Sequence, residues 1–128
     1  MATIRVLLID NNANFLELAS DYLGSGEDVV VVGTALNYRE ALAQVSKLMP
    51  DVALLDIRMP SMNGLELLPR LRAMMPDLVI IILTMYDLDV YREAARNAGA
   101  RGFVSKRNLV DDLLPAILRV KGDCCERV

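Results

Sequence analysis

Histidine and tryptophan are absent from this chain of 128 residues, and cysteine occurs only twice. Without an imidazole, zinc sites and histidine-based acid–base chemistry are excluded within the chain. The two cysteines, Cys124 and Cys125, are adjacent in the charged end "KGDCCERV". Neighbouring cysteines rarely close a disulfide on each other, so the pair reads as reduced thiols. Also missing is a basic cluster: 14 Lys and Arg are scattered among 17 Asp and Glu, for a net charge of −3. Gripping nucleic acid by charge needs a clustered basic surface, which argues against direct nucleic-acid binding. No run approaches the roughly 18 apolar residues of a membrane span, and "MATIRVLLID" lacks the layout of a signal peptide. A cytosolic location without membrane contact is therefore expected.

What the chain does have is apolar material, 54% of its residues, in a length that suits one domain. Five short runs are rich in β-branched residues or leucine: "TIRVLLID" (3–10), "VVVVGTA" (29–35), "DVALLD" (51–56), "LVIIILT" (78–84) and "RGFVSK" (101–106). The middle three are nearly continuous apolar runs, the pattern of parallel strands covered by helices on both faces. Between them the apolar residues change to a helical period. Over 12–23, Phe15, Leu18, Ala19, Tyr22 and Leu23 fall on one face; over 37–49, Ala41, Leu42, Val45 and Leu48 do so. Segment 64–75 carries Leu67, Leu68 and Leu71, and segment 87–98 carries Val90, Ala94 and Ala98. Segment 108–120 carries Val110, Leu113, Leu114, Ile117 and Leu118. Asn37 and Glu40 have the spacing of a capping box, Asn12 suits a cap of the first helix, and Asn108 one of the last.

Strand then helix, five times over, predicts right-handed crossovers and an open α/β sheet. For five strands the expected class is flavodoxin-like, doubly wound (βα)5, with a parallel sheet in the order 2-1-3-4-5. Pro69 and Pro115 fit less well. Each falls inside a predicted helix, where it removes a backbone bond at about 3 kcal/mol in an isolated helix, so either a kink or a different boundary is expected.

In such a sheet, functional groups gather at the carboxyl ends of the strands. Asp10 and Asn11 follow the first run, Asp56 ends the third, Thr84 the fourth and Lys106 the fifth. Each alone has an ordinary reading, as a turn residue or a surface lysine. Together they put two carboxylates, an amide, a hydroxyl and an ammonium at one edge. Two carboxylates 4 Å apart repel by about 4 kcal/mol at an effective dielectric near 20, so a cation would ease the site. Oxygen donors of this kind suit Mg²⁺, which keeps several of its waters. The chemistry suggested is a carboxylate nucleophile, Asp56, taking a phosphoryl group beside a metal.

The motifs "LLIDNN", "VALLDIRMPSMNGLELL", "IIILT" and "GFVSK" fall in order at the strand ends. With them, residues 4 to about 120 resemble the receiver domain of two-component response regulators. "YREAL", "AGARGF" and "SKRN" are most similar to receivers that precede a helix-turn-helix DNA-binding domain. The resemblance implies a receiver over residues 1–121, with 122–128 a tail or the start of a linker. It implies a phosphorylation switch rather than an enzyme acting on other molecules. Asp56 matches the phosphoacceptor, which is supplied by a histidine kinase. Asp10 matches the first acidic metal-site residue, and Arg58 the position whose backbone carbonyl ligates the metal. Thr84 matches the hydroxyl that moves toward the phosphoryl group, Lys106 the lysine that pairs with it, and Phe103 the aromatic switch position. Met59, Pro60 and Gly64 match the turn behind the acceptor. Implied partners are the kinase, an output domain such as a helix-turn-helix domain, and a second copy meeting helix 4, strand 5 and helix 5.

Two positions depart from the family pattern. Asn11 stands where a second acid is usual, which implies weak Mg²⁺ affinity and leaves open an interaction module that works without efficient phosphorylation. Arg107 stands where a proline usually follows the lysine. Two other uses of the same fold are also weighed. An aspartyl-phosphate phosphatase of the haloacid-dehalogenase type would resemble D-x-D-x-T, but Asn12 and Asn14 follow Asp10. A flavodoxin would need a Ser/Thr/Gly-rich phosphate loop after the first strand, which is missing.

Overall fold

The computed structural model describes residues 3–24, 28–57, 64–85 and 89–126, with the side chains of 110 and 120–126 outside the description. Strand β1 (Ile4–Ile9), helix α1 (Ala13–Gly24), β2 (Val29–Ala35), α2 (Tyr38–Leu48) and β3 (Val52–Asp56) alternate along the first half. They are followed by α3 (Gly64–Met74), β4 (Val79–Thr84), α4 (Asp89–Ala98), β5 (Gly102–Ser105) and α5 (Leu109–Glu126). The strands form one parallel sheet in the order β2-β1-β3-β4-β5, as the alternation of elements predicts.

Side chains alternate across a strand, and here the alternation sorts the core into two layers. Val6, Leu8, Leu54, Ile81 and Leu83 point to the face covered by α1 and α5. Leu7, Ile9, Leu55, Ile80 and Ile82 point to the face covered by α2, α3 and α4. Strands β3 and β4 are buried at every residue. Each fully buried Leu or Ile removes enough apolar surface from water to contribute about 1.5–3 kcal/mol.

Helix α1 keeps four of its five predicted core residues, Phe15, Ala19, Tyr22 and Leu23, whereas α4 turns a different face inward from the one that periodicity indicates. In α1 the buried residues are Leu16, Ala19 and Leu23, while Leu18 is 62% exposed. In α4 only Ala95 is fully buried, Tyr91 and Ala98 pack partly against the core, and Val90 is 68% exposed. Both prolines lie within helices that continue past them, so the predicted boundaries of α3 and α5 stand at those points. Helix α5 runs on to Glu126, beyond the 120 expected, and takes in part of the predicted tail. No helix among the described residues is long and apolar enough to cross a membrane.

The caps are local consequences of sequence. The Asn37 side chain accepts from the Glu40 amide at 2.9 Å, while the Glu40 carboxylate reaches back to the Leu36 amide at 2.8 Å. The predicted capping box therefore forms with its return bond one residue earlier. Helix α2 ends at Met49, whose φ of 48° places a non-glycine residue in the left-handed region. The Arg5 guanidinium donates to the Met49 carbonyl at 2.9 Å and fixes that end. The Met49 side chain is 60% exposed, so little packing would be lost on removing it. Met49→Gly should relieve the left-handed strain and raise stability by about 0.5–1 kcal/mol, net of the added freedom of the unfolded chain. Urea unfolding of the two proteins would measure it.

Candidate functional site

The carboxyl edge of the sheet brings three of the predicted residues into contact. Asp10 leaves β1 and Asp56 ends β3, and they are 2% and 6% exposed, among the very few buried polar residues. Lys106 follows β5 and reaches across the intervening strand ends. Its Nζ lies 2.5 Å from Asp10 Oδ2 and 3.5 Å from Asp56 Oδ2. One ammonium thus bridges two carboxylates that would otherwise repel. Thr84, fully buried, ends β4 between the two partners: Asp56 of β3 is in register with Leu83, and Thr84 itself with Ser105 of β5.

Local sequence explains how these side chains are held. The second oxygen of Asp10, Oδ1, accepts from the Asn12 amide at 2.9 Å, a turn that aspartate forms with its own backbone two residues on. Asn12 in turn caps α1, its Oδ1 accepting from the Phe15 amide at 3.1 Å. The Asn12 cap was legible in the sequence; the clamp on Asp10 was not singled out. Ser105 caps the single 3-10 turn Lys106–Asn108 by accepting from the Arg107 amide at 3.2 Å. A proline at 107 has no amide hydrogen to give, so Arg107 supplies a bond that the usual residue could not. That turn takes Asn108 into itself, just ahead of α5.

Phe15 is the participant that sequence reasoning missed in this role. Its ring lies 4.2 Å from Lys106 Nζ, measured to the ring centroid, so the ammonium is flanked by two carboxylates and an aromatic face. A residue so distant in sequence from Lys106 gives no signal of this contact. Gly64, by contrast, was named as part of the turn behind the acceptor. Its amide donates to the Ile57 carbonyl at 2.6 Å, and a Cβ there would press on the backbone of Asp56 and Ile57.

Other predicted positions lie outside this group. Asn11 is exposed at its rim. Phe103 is half-buried on the α4 side of β5, with the Arg92 guanidinium 4.7 Å above its ring, away from the carboxylates. Arg58, Met59 and Pro60 are outside the described residues.

Two buried carboxylates with an amide at their rim are oxygen donors that fit Mg²⁺ better than any softer metal. The fit is lean, because among the described residues no three His, Cys, Asp or Glu side chains are grouped to hold a metal.

Residues 6–118 match the model of the response regulator receiver domain. The chain belongs to that family. The receiver is 42% identical to the DNA-binding transcriptional activator DevR/DosR of Mycobacterium tuberculosis, over 80% of this chain and 48% of that protein. It is 38% identical to the uncharacterized transcriptional regulatory protein YvfU of Bacillus subtilis, over 93% of this chain and 60% of that one. The receiver thus spans about half the length of the curated relatives it matches. Among solved structures it superposes on a LuxR-family two-component response regulator from Aurantimonas, at 26% identity and a TM-score of 0.88, covering 93% of this chain and 85% of that one. A CheY-like receiver domain protein from Methanospirillum hungatei gives 0.86 at 26% identity, with 99% and 100% covered. Receivers are signalling domains of two-component systems, and relatives here carry them in transcription regulators.

Proposed function

We propose that this receiver is a phosphorylation switch in which Asp56 accepts a phosphoryl group from a histidine kinase. The observation that carries the reading is the Lys106 ammonium set between Asp10 and Asp56. A carboxylate oxygen of Asp56 attacks the phosphorus and forms an acyl phosphate. The phosphorus–nitrogen bond of the donor's phosphohistidine breaks, and the imidazole leaves with the electron pair and takes up a proton. Lys106, with its Nζ 3.5 Å from Asp56 Oδ2, would pair with the incoming negative charge, and positioning plus charge stabilisation is the main demand of phosphoryl transfer. Mg²⁺ would be held by Asp10, Asp56, the Asn11 amide and the Arg58 backbone carbonyl, and it would supply charge neutralisation there. The Thr84 hydroxyl, buried one step away, would then turn toward the acyl phosphate and Phe103 would repack behind it. The surface of α4, β5 and α5 would carry the change to an output partner or a second copy.

Within this reading the receiver occupies residues 1–121 of a cytoplasmic regulator. The output is transcriptional, through a helix-turn-helix domain rather than through DNA contacts of the receiver itself. The name of the DevR/DosR relative, a DNA-binding transcriptional activator, supports that direction. The exposed Asn11 amide supports a second reading, an interaction module that signals without efficient phosphorylation.

Intact-protein mass after incubation with a small phosphodonor, across a range of Mg²⁺, separates them. The expected result is one added phosphoryl group, lost completely in Asp56→Asn. Asn11→Asp restores a formal charge at the metal rim, and each 1.4 kcal/mol so regained lowers the Mg²⁺ requirement about tenfold. No adduct with the native sequence at high Mg²⁺, but an adduct with Asn11→Asp, would favour the second reading. No adduct in either protein would refute phosphorylation at Asp56.

A further inference from the structure

Arginines that are scattered along the sequence meet in space. A cavity of about 270 Å³ opens between α4, β5 and α5, and four of its lining residues are Arg92, Arg96, Arg101 and Arg119. Among the described residues, no carboxylate lines it. Of the described acids on the flanking helices, Asp89 and Glu93 of α4 are exposed and outside its wall, and Asp112 of α5 borders the neighbouring cavity, which shares Arg92, Phe103 and Arg119 with this one. Among the described residues, Arg96, Arg101 and Arg119 form no ion pair. One wall is the Phe103 ring, on which the Arg92 guanidinium sits at 4.7 Å. Four arginines line one recess in a chain whose net charge is −3, and three of them form no ion pair among the described residues, a local concentration that the composition conceals.

The geometry points to a binding site for a small polyanion bearing phosphate groups, in the cleft between α4, β5 and α5. Guanidinium groups match phosphate oxygens in pairs, and a recess lined by one sign of charge focuses its field on an incoming counter-ion. At about 270 Å³ the recess has room for a diphosphate-sized group, just below the about 300–1,000 Å³ of cavities that enclose drug-sized molecules. The Arg92–Phe103 stack restrains one guanidinium in advance and lowers the ordering cost of binding. The site requires nothing of Asp56 and stands or falls apart from the phosphorylation reading.

The test is a titration of the whole chain with pyrophosphate at constant ionic strength and without Mg²⁺, followed by amide chemical shifts. Saturating shifts confined to residues 96, 101–103 and 119 are expected. The double variant Arg101→Ala/Arg119→Ala should weaken binding at least tenfold while its thermal unfolding matches the parent. Shifts that stay linear in pyrophosphate, or a double variant that binds as the parent does, would overturn the proposal. Saturation by a hexaglutamate peptide but not by pyrophosphate would overturn it too, in favour of an acidic protein partner.

Discussion

Lys106→Met should lower folding stability by about 2–4 kcal/mol at neutral pH, and Mg²⁺ should return part of the loss. Removing one partner from a buried ion pair typically costs about 3–5 kcal/mol, because the charge left behind has lost its compensation. Here two charges are left behind. The Asp10 and Asp56 side chains are 3% and 8% exposed, and the Lys106 side chain at 11% is only slightly wetter, which trims the expected loss. A methionine keeps an unbranched apolar stem of similar length and so separates the loss of the charge from the loss of packing. A divalent cation that binds the folded form stabilises it by mass action. The variant, with its two exposed-to-each-other carboxylates, should gain more from Mg²⁺ than the native protein does. Adding Asp10→Asn to Lys106→Met should recover stability, since only one buried carboxylate then remains. Urea unfolding with and without Mg²⁺ measures all of these. A loss under about 0.5 kcal/mol, insensitive to Mg²⁺, would mean that the bridge is no stronger than a surface pair.

The contrast between the legible and the illegible parts of this site follows from the range of the interactions. Asp10, Asp56 and Lys106 could be placed at one edge because strands that alternate with helices run parallel, which puts all their carboxyl ends on one side. Their neighbours could not be placed, since Phe15 meets Lys106 only after α1 and β5 have docked on the same sheet. The same docking explains the error in α1. Counting from Phe15 as a core residue predicts Leu18 inside, but Phe15 lies partly over the ammonium, and Leu16 joins the predicted Ala19 and Leu23 in the buried line. In α4 the apolar signal is carried mainly by alanines, which hardly distinguish one face from the next, and the chain settles on Ala95 beside Tyr91 and Ala98. The strands gave less room for error. A run such as β3, buried at every residue, has no polar face to misplace, and its only charged member is the aspartate at its end.

Gly64→Ala should also be costly, by about 2–4 kcal/mol, although alanine is the better helix former by about 1 kcal/mol. Gly64 opens α3 with its amide bonded to the Ile57 carbonyl at 2.6 Å, so the helix start is pinned against the end of β3. An added Cβ would lie inside contact distance of the Asp56 carbonyl oxygen, 2.8 Å from Ile57 Cα and 3.0 Å from the Asp56 carbonyl carbon. These are backbone atoms of a buried strand end, and no rotamer change can move them aside. Either α3 backs away from the sheet, opening the packing of Leu67, Leu68 and Leu71, or Asp56 shifts with its backbone. The second route carries a functional signature, since Asp56 would leave its place beside Lys106 and the rate of phosphoryl uptake would fall with stability. Gly24→Ala is the matched control, at a helix end where a Cβ meets nothing within 4 Å. It should stay within about 0.5 kcal/mol of the parent, as surface substitutions away from special features do. Urea unfolding of both variants checks the difference. If Gly64→Ala unfolds like Gly24→Ala, then α3 can part from β3 at little cost, and the close approach at Gly64 does not hold Asp56 in position.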